Sequence, residues 1–300
     1  VHWPSQDRQQ TVVRPADLTR EALLRVEEIL MEESQSSVWL IQNAAESIFS
    51  AGGKRLRPML VLLSAQATGY EGERAYPLAA MMEFLHTATL IHDDIIDDAK
   101  TRRGQASLNE FLGNAMSVLI GDFMVSKAFR LIANDGDPAI LRVICDAIVQ
   151  MCEGEIIQIC ETGNLQTTIE TYLSIITSKT GILMSSCCKV GGLLGEDGPG
   201  SVKALGEFGM DLGLAFQIVD DILDFTGDEQ RLGKPVAGDL REGKITLPLI
   251  FTFQRAEGSD LRWLKDVILQ DEISAEEVRQ VMDLMHAYEG IESARKMARG

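Results

Sequence analysis

The sequence predicts an all-α fold, a single large helical bundle, on three observations. Apolar residues recur at spacings of three and four along almost the whole chain, the period of a helix with one buried face. Strand signals are scarce, with few alternating Val/Ile/Thr runs and no Asn-Gly hairpin signature. Two segments, LAAMMEFLHTATLIH and LGLAFQIV, are apolar or small nearly all round, which suits helices in the middle of a protein.

The elements follow in order. Residues 1–16 open with VHWPSQDRQQTVV, polar and aperiodic, and read as a flexible arm outside a single domain spanning 17–300. A first helix is expected over 18–30, with Asp17 or Thr19 placed to cap it. A second covers 38–49 and ends at the Ala51-Gly52-Gly53 break. A third covers 58–68 and stops at Gly69. Pro77 then suits the first turn of a long helix from 78 to about 98. Further helices fit 108–134, 138–161, 169–194 and 201–226, with another after Lys244 and short ones beyond. Neither a composition shift nor a repeat of solenoid period divides the chain.

Composition narrows the function. Hydrophobic residues make up 45% of the 300, enough for a large core. With 28 basic and 45 acidic residues the net charge is −17, which argues against nucleic acid or a polybasic membrane patch as the main business. No run of about 18 apolar residues suggests a transmembrane helix. Five cysteines without CxxC spacing or a secretory leader point to reduced thiols and a cytoplasmic setting. Cys145, Cys152 and Cys160 fall in an apolar helical stretch, so core packing is their expected role.

Against this background HDDIIDDAKTRRG, from His92, stands out. Four aspartates crowd into six residues, and two arginines follow. Asp93 and Asp97, four apart, share a helix face, with Asp94 and Asp98 in the adjacent row. Their repulsion raises at least one pKa unless a cation intervenes. Two carboxylates at the mouth of a buried helix suit Mg²⁺, which takes a few carboxylates plus waters and phosphate oxygens. A lone DDxxD could equally be a solvated helix end. The pattern returns at Asp220, Asp221 and Asp224, again after an uncharged apolar helix. Two such clusters could face each other across a cavity and hold several Mg²⁺ ions and a highly charged ligand.

Basic residues complete the outline. GGKRLRP puts Lys54, Arg55 and Arg57 at a helix start, where free amides also favour an anion. Arg102 and Arg103 follow the first cluster; Lys179, Lys234 and Lys244 flank the second. His86 lies two turns before Asp93 and can point into the same cleft, whereas His92 points about 100° away from Asp93 and reads as structural.

In order, GGKRLRP, HDDIIDDAKTRRG, SKTG, FQIVDDILDFTGD and GKPVAGDLREGKITLP resemble the motif set of the trans-isoprenyl (polyprenyl) diphosphate synthases, long-chain type, over about residues 50–250. The resemblance implies an isoprenoid synthase fold with a deep central cavity, a homodimer, and Mg²⁺-dependent head-to-tail prenyl transfer with three ions per active site. It implies Mg²⁺ on Asp93, Asp97, Asp220, Asp221 and Asp224, bridging an allylic diphosphate that Arg102, Lys179 and Lys234 touch, with Lys244 as an addition. Lys54, Arg57, His86 and Arg103 would hold isopentenyl diphosphate. Thr180 and Gln217 would sit beside the allylic carbon, where cation character develops.

Ala88 and Thr89, five and four residues before Asp93, are small where bulky aromatics would floor the cavity in short-chain members. The tail is therefore expected to run on toward Leu85, Met82 and Met81, giving products of C30 or more, with transient membrane association for their release. A C15–C20 synthase is the nearest alternative. A terpene cyclase or head-to-head enzyme would not need GGKRLRP and Arg103, and a non-catalytic subunit would be expected to have lost aspartates.

Overall fold

A computed structural model of the chain describes residues 14–50, 52–102, 104–227, 236–270 and 272–300. Among these residues it is helical apart from one two-residue hairpin. A short helix α1 (Pro15–Leu18) precedes α2 (Arg20–Glu33), so the expected arm is helical at its end. Thr19 occupies the cap position of α2, but its hydroxyl donates back to the Pro15 carbonyl and leaves the helix without a side-chain cap. Then come α3 (Trp39–Ser50), α4 (Leu56–Ala67) and α5 (Ala75–Ile96).

Helix α5 is the central element its composition predicts. Leu78, Ala79, Ala80, Met81, Met82 and Phe84 are all fully buried, and α2, α4 and α7 pack around it. It ends at Ile96, two residues earlier than expected. Asp98 takes a left-handed conformation (φ 47°) that stops the helix. The chain then reverses through β1 (Thr101–Arg102) and β2 (Gln105–Ala106), with Gly104 at φ 77° allowing the tight turn.

The expected helix over 108–134 is two, α6 (Leu108–Leu112) and α7 (Asn114–Asp135). Gly113, at φ 79° and ψ 160°, lies where only glycine sits without strain and breaks the run. Helix α8 (Pro138–Glu161) is capped by the Asp137 carboxylate, which accepts the Ala139 amide. Its Cys152 and Cys160 are exposed, and Cys145 half-buried, contrary to the core role expected of them. The apolar stripe that suggested burial includes an outward face, where Leu141, Val149, Ile156 and Ile159 are also exposed. Cys187 and Cys188, by contrast, are buried.

The expected helix over 169–194 is interrupted. Between α9 (Ile169–Ile176) and α10 (Ile182–Leu194) lies a π-helical turn, Thr177–Gly181. Helix α11 (Pro199–Thr226) crosses this turn so closely that a Cβ on Gly213 would stand 2.7 Å from the Gly181 Cα. Beyond it come α12 (Gly238–Arg241), α13 (Leu247–Arg255), α14 (Gly258–Ile268), α15 (Ala275–Ala287) and α16 (Gly290–Met297). One core gathers around α5 and α10. A second gathers Ile218, Ile222 and Phe225 of α11 with α13–α16. The first aspartate cluster ends α5, a helix of the first core, and the second ends α11, which supplies residues to the second core.

Candidate active site

The fold sorts the first four aspartates into different tasks. Asp94 is buried and receives the Arg102 guanidinium through Nε at 2.7 and 2.8 Å and one terminal nitrogen at 2.6 Å. Asp98 is exposed and pairs with Lys100 in the turn. Asp93 and Asp97 each meet a lysine brought from far along the chain. Lys179 Nζ stands 4.0 Å from Asp93 and 2.7 Å from Glu155 of α8. Lys244 Nζ is 3.2 Å from Asp97 and 2.6 Å from Glu242. Burial lowers the Lys244 pKa, but Glu242 and Asp97 outweigh that and raise it. Burial is also the main reason the Asp93 carboxyl is pushed up from 3.8 to about 6, against the pull of Lys179.

The second cluster sits at the far end of α11. Asp221 is buried, accepting from the Tyr172 hydroxyl at 2.6 Å and from Gln217 Nε2 at 2.8 Å. Burial again dominates and pushes its carboxyl up to about 6. Asp220 is exposed. Asp224 is buried and accepts the Asp239 amide at 3.1 Å, while its carbonyl accepts the Ala237 amide. These bonds tie the loop bearing Lys244 to the second cluster, and Lys244 in turn touches Asp97 of the first. Lys244 therefore links the two clusters.

Carboxylate oxygens are the hard donors that Mg²⁺ takes, so the aspartates suit that ion in type, while no three of the described His, Cys, Asp and Glu side chains converge on one point. The ammonium groups of Lys179 and Lys244 meet part of the charge that such an ion would balance. The π-turn contributes Thr180 as well as Lys179. Thr180 Oγ1 donates to Gln217 Oε1 at 2.7 Å, joining the two residues expected near the allylic carbon.

The cations of GGKRLRP divide. Arg55 is buried and held by Glu27, by Glu83 at 2.8 Å and by the Phe49 carbonyl at 3.0 Å, a structural tie. Arg57 Nε is buried with no hydrogen-bond partner among the described residues. Its pKa is pushed down by burial, so an anion would relieve it. Lys54 is exposed nearby and His86 half-buried on α5. Arg103 and Lys234 lie outside the described residues. Of the chain-length candidates, Ala88 and Leu85 are buried in the first core, and Thr89 is half-buried. His92 packs its ring against Gly121 of α7, a structural placement.

Sequence reasoning missed Glu155, Tyr172, Asp239 and Glu242. The last two stood inside the GDLREGK motif and were open to notice. Tyr172 and Glu155 carried no local signal, since their partners lie 49 and 24 residues away.

The comparisons with known proteins point to one family. The sequence matches the polyprenyl synthetase family over residues 38–285. It is 38% identical over 282 residues to the octaprenyl diphosphate synthase of Escherichia coli (strain K12), covering 94% of this chain and 87% of that one. It is 34% identical over 261 residues to the geranylgeranyl diphosphate synthase of Saccharolobus solfataricus, covering 85% and 79%. Among solved structures it resembles the polyprenyl synthase of Caulobacter crescentus CB15, complexed with calcium and isoprenyl diphosphate. The TM-score is 0.91 at 33% identity, over 95% of this chain and 87% of that one. With the motifs in order and the helices around them as in those enzymes, the chain belongs to the polyprenyl synthetase family, an all-α prenyltransferase of the isoprenoid synthase fold.

Proposed function

We propose that the chain adds isopentenyl diphosphate units head to tail onto an allylic diphosphate, giving an all-trans product of C30 or more, with C40 the first length to test. The observation that carries this reading is the reach of Lys244 to Asp97 of the first cluster, from a loop bonded to Asp224 of the second, with Lys179 set against Asp93. Asp93, Asp97, Asp220, Asp221 and Asp224 would hold Mg²⁺, which when bound supplies positive charge against the departing diphosphate. Lys179, Lys244, Arg102 and Lys234 add to that charge where it develops, which lowers the barrier to breaking the allylic C–O bond. Asp94 holds Arg102 in place for this task.

Lys54, Arg57, Arg103 and His86 fix the isopentenyl diphosphate so that its double bond lies close to the allylic carbon. Thr180 and Gln217 offer oxygen atoms near the carbon that becomes cationic. The proton lost in the last step goes to the released diphosphate, so the chain needs no general-base dyad. Ala88 and Thr89 put no aromatic ring on the α5 turn before Asp93, which supports a long product.

Exposed apolar side chains along α7 and α8, among them Leu119, Val149 and Ile156, suit a homodimer interface. Light scattering that reads a monomer at micromolar concentration would remove that part of the reading. None of the described helices is long and apolar enough to cross a membrane. Incubating the protein with Mg²⁺, labelled isopentenyl diphosphate and C5, C10, C15 or C20 primers, then sizing the products, tests the whole reading. Products of C30 or longer are expected. Mainly C15 or C20 would overturn the length, and no incorporation with any primer would overturn the reaction.

A further inference from the structure

One side chain outside every motif anchors the second cluster. Tyr172, on α9, is buried at 3% exposure, and its hydroxyl lies 2.6 Å from Asp221 Oδ2. The other oxygen, Oδ1, accepts from Gln217 Nε2 at 2.8 Å, and Gln217 Oε1 accepts from Thr180 Oγ1 at 2.7 Å. The proton positions along this chain are determined. A carboxylate only accepts, so the phenol and the amide NH₂ must both point at it. The reversed amide would set a carbonyl against a carboxylate oxygen. With the NH₂ so committed, Gln217 turns its carbonyl to Thr180, which must then spend its one proton there. Oxygen lone pairs are what Thr180 has left for a ligand.

We propose that Tyr172 is a positioning residue for prenyl transfer, fixing the Asp221 carboxylate and, through Gln217, the hydrogen-bond direction that leaves Thr180 as an acceptor. The inference rests on the proposed reaction. A site where positive charge develops on carbon is served by lone pairs and harmed by a hydroxyl proton, so the direction of the relay matters to rate. Asp221 held at both oxygens also keeps one orientation toward a metal ion, as partners behind a ligand generally do. The phenol stays protonated here, because burial and the Asp221 charge both raise its pKa.

Water does not replace this function. Tyr172, Asp221 and Lys244 line a cavity of about 60 Å³ with Gln158, Glu161 and Thr246. Removing the hydroxyl would admit a water there, and a water can rotate where the phenol cannot.

The test is Tyr172→Phe in the full chain, which keeps the ring that packs the second core. By analogy with other partners that orient ligands, kcat should fall roughly tenfold or more, and the Mg²⁺ half-saturation should rise severalfold. KM for both diphosphates should stay within about twofold, because the cations that bind them are untouched. A second readout does not use turnover. The midpoint of the thermal upshift produced by Mn²⁺ with inorganic pyrophosphate should move severalfold in the same direction. In an Asp221→Asn background, Tyr172→Phe should have little further effect on kcat.

Wild-type kcat and metal midpoints in Tyr172→Phe would overturn the proposal. So would a lower metal-free melting temperature with an unchanged metal midpoint, which marks a packing role, or full additivity in the double variant. A wild-type protein that is inactive with all primers defeats the reaction itself, while the Mn²⁺ and pyrophosphate titration still reads the hold on Asp221.

Discussion

Asp93→Asn should make the metal-free protein more stable, and only where the carboxylate is charged. The Asp93 pKa is raised from 3.8 to about 6, mainly by burial, with Glu155 and Asp97 adding to it. A shift of about two units corresponds to about 3 kcal/mol of penalty on the charged form. The sign follows from linkage. The folded-state pKa lies above the unfolded one, so the stabilising contribution is complete below about pH 4 and is lost as the pH rises through about 6. At neutral pH the folded state carries the full penalty, and asparagine removes it.

Some attraction is lost with the charge, since Lys179 lies 4.0 Å from Asp93, although Glu155 still pairs that lysine at 2.7 Å. The net gain is therefore about 1–3 kcal/mol near neutral pH, or roughly 2–6 °C in melting temperature for a chain of this size. Thermal melts in EDTA at about pH 7.5 and about pH 4.5 read it directly, and the gain should shrink markedly at the lower value. Added Mg²⁺ should raise the wild-type melting temperature at neutral pH more than the variant's. An Asn variant no more stable than wild type at neutral pH, or equally stabilised at both, would refute the argument that the fold buries the Asp93 charge at a cost that a cation relieves.

Two further substitutions probe length and geometry. Ala88→Phe should shorten the products toward C15–C20 in the primer assay; unchanged lengths would mean that the chain does not grow past this position. Gly213→Ala places a Cβ 2.7 Å from the Gly181 Cα, and forcing the π-turn from α11 should cost about 1–3 kcal/mol of stability. It should also lower kcat, because Lys179 and Thr180 ride on that turn. Gly200→Ala, in the same helix with nothing within 4 Å of the added atom, is the control and should be neutral or slightly stabilising.

What could be read without coordinates was what local chemistry fixes. The uniform apolarity of 78–91 requires a central helix, and it is one. Two acidic clusters after apolar helices suggest neighbouring sites, and Lys244 does reach Asp97 from a loop bonded to Asp224. The misses come from partners distant in sequence or from single backbone dihedrals. Gly113 breaks a helix whose hydrophobic period runs straight through it. The π-turn at Thr177–Gly181 follows α11 closely where Gly213 meets Gly181, a contact 32 residues long in sequence. Cys152 and Cys160 share the period of core residues but fall on the outward face of α8. Arg55 and Arg57 are alike as letters. Only the fold distinguishes a cation held by Glu27 and Glu83 from one whose buried Nε has no hydrogen-bond partner among the described residues.

HDDIIDDAKTRRG shows why such sorting needs topology. Helical spacing pairs Asp93 with Asp97 and Asp94 with Asp98, and treats the pairs alike. The helix instead ends at Ile96, and the left-handed Asp98 turns the chain out of the helical path. The hairpin then carries Arg102 back to Asp94, eight residues behind it, a separation that helix geometry never brings together across one face. Asp94 thereby becomes the holder of Arg102. Asp93 and Asp97 lose a local arginine and gain Lys179 and Lys244 from far along the chain. The dense charge of the motif is thus divided between a bond that holds the loop and a carboxylate, Asp93, that burial disfavours as an anion. That burial penalty is what the metal-free stability of Asp93→Asn measures.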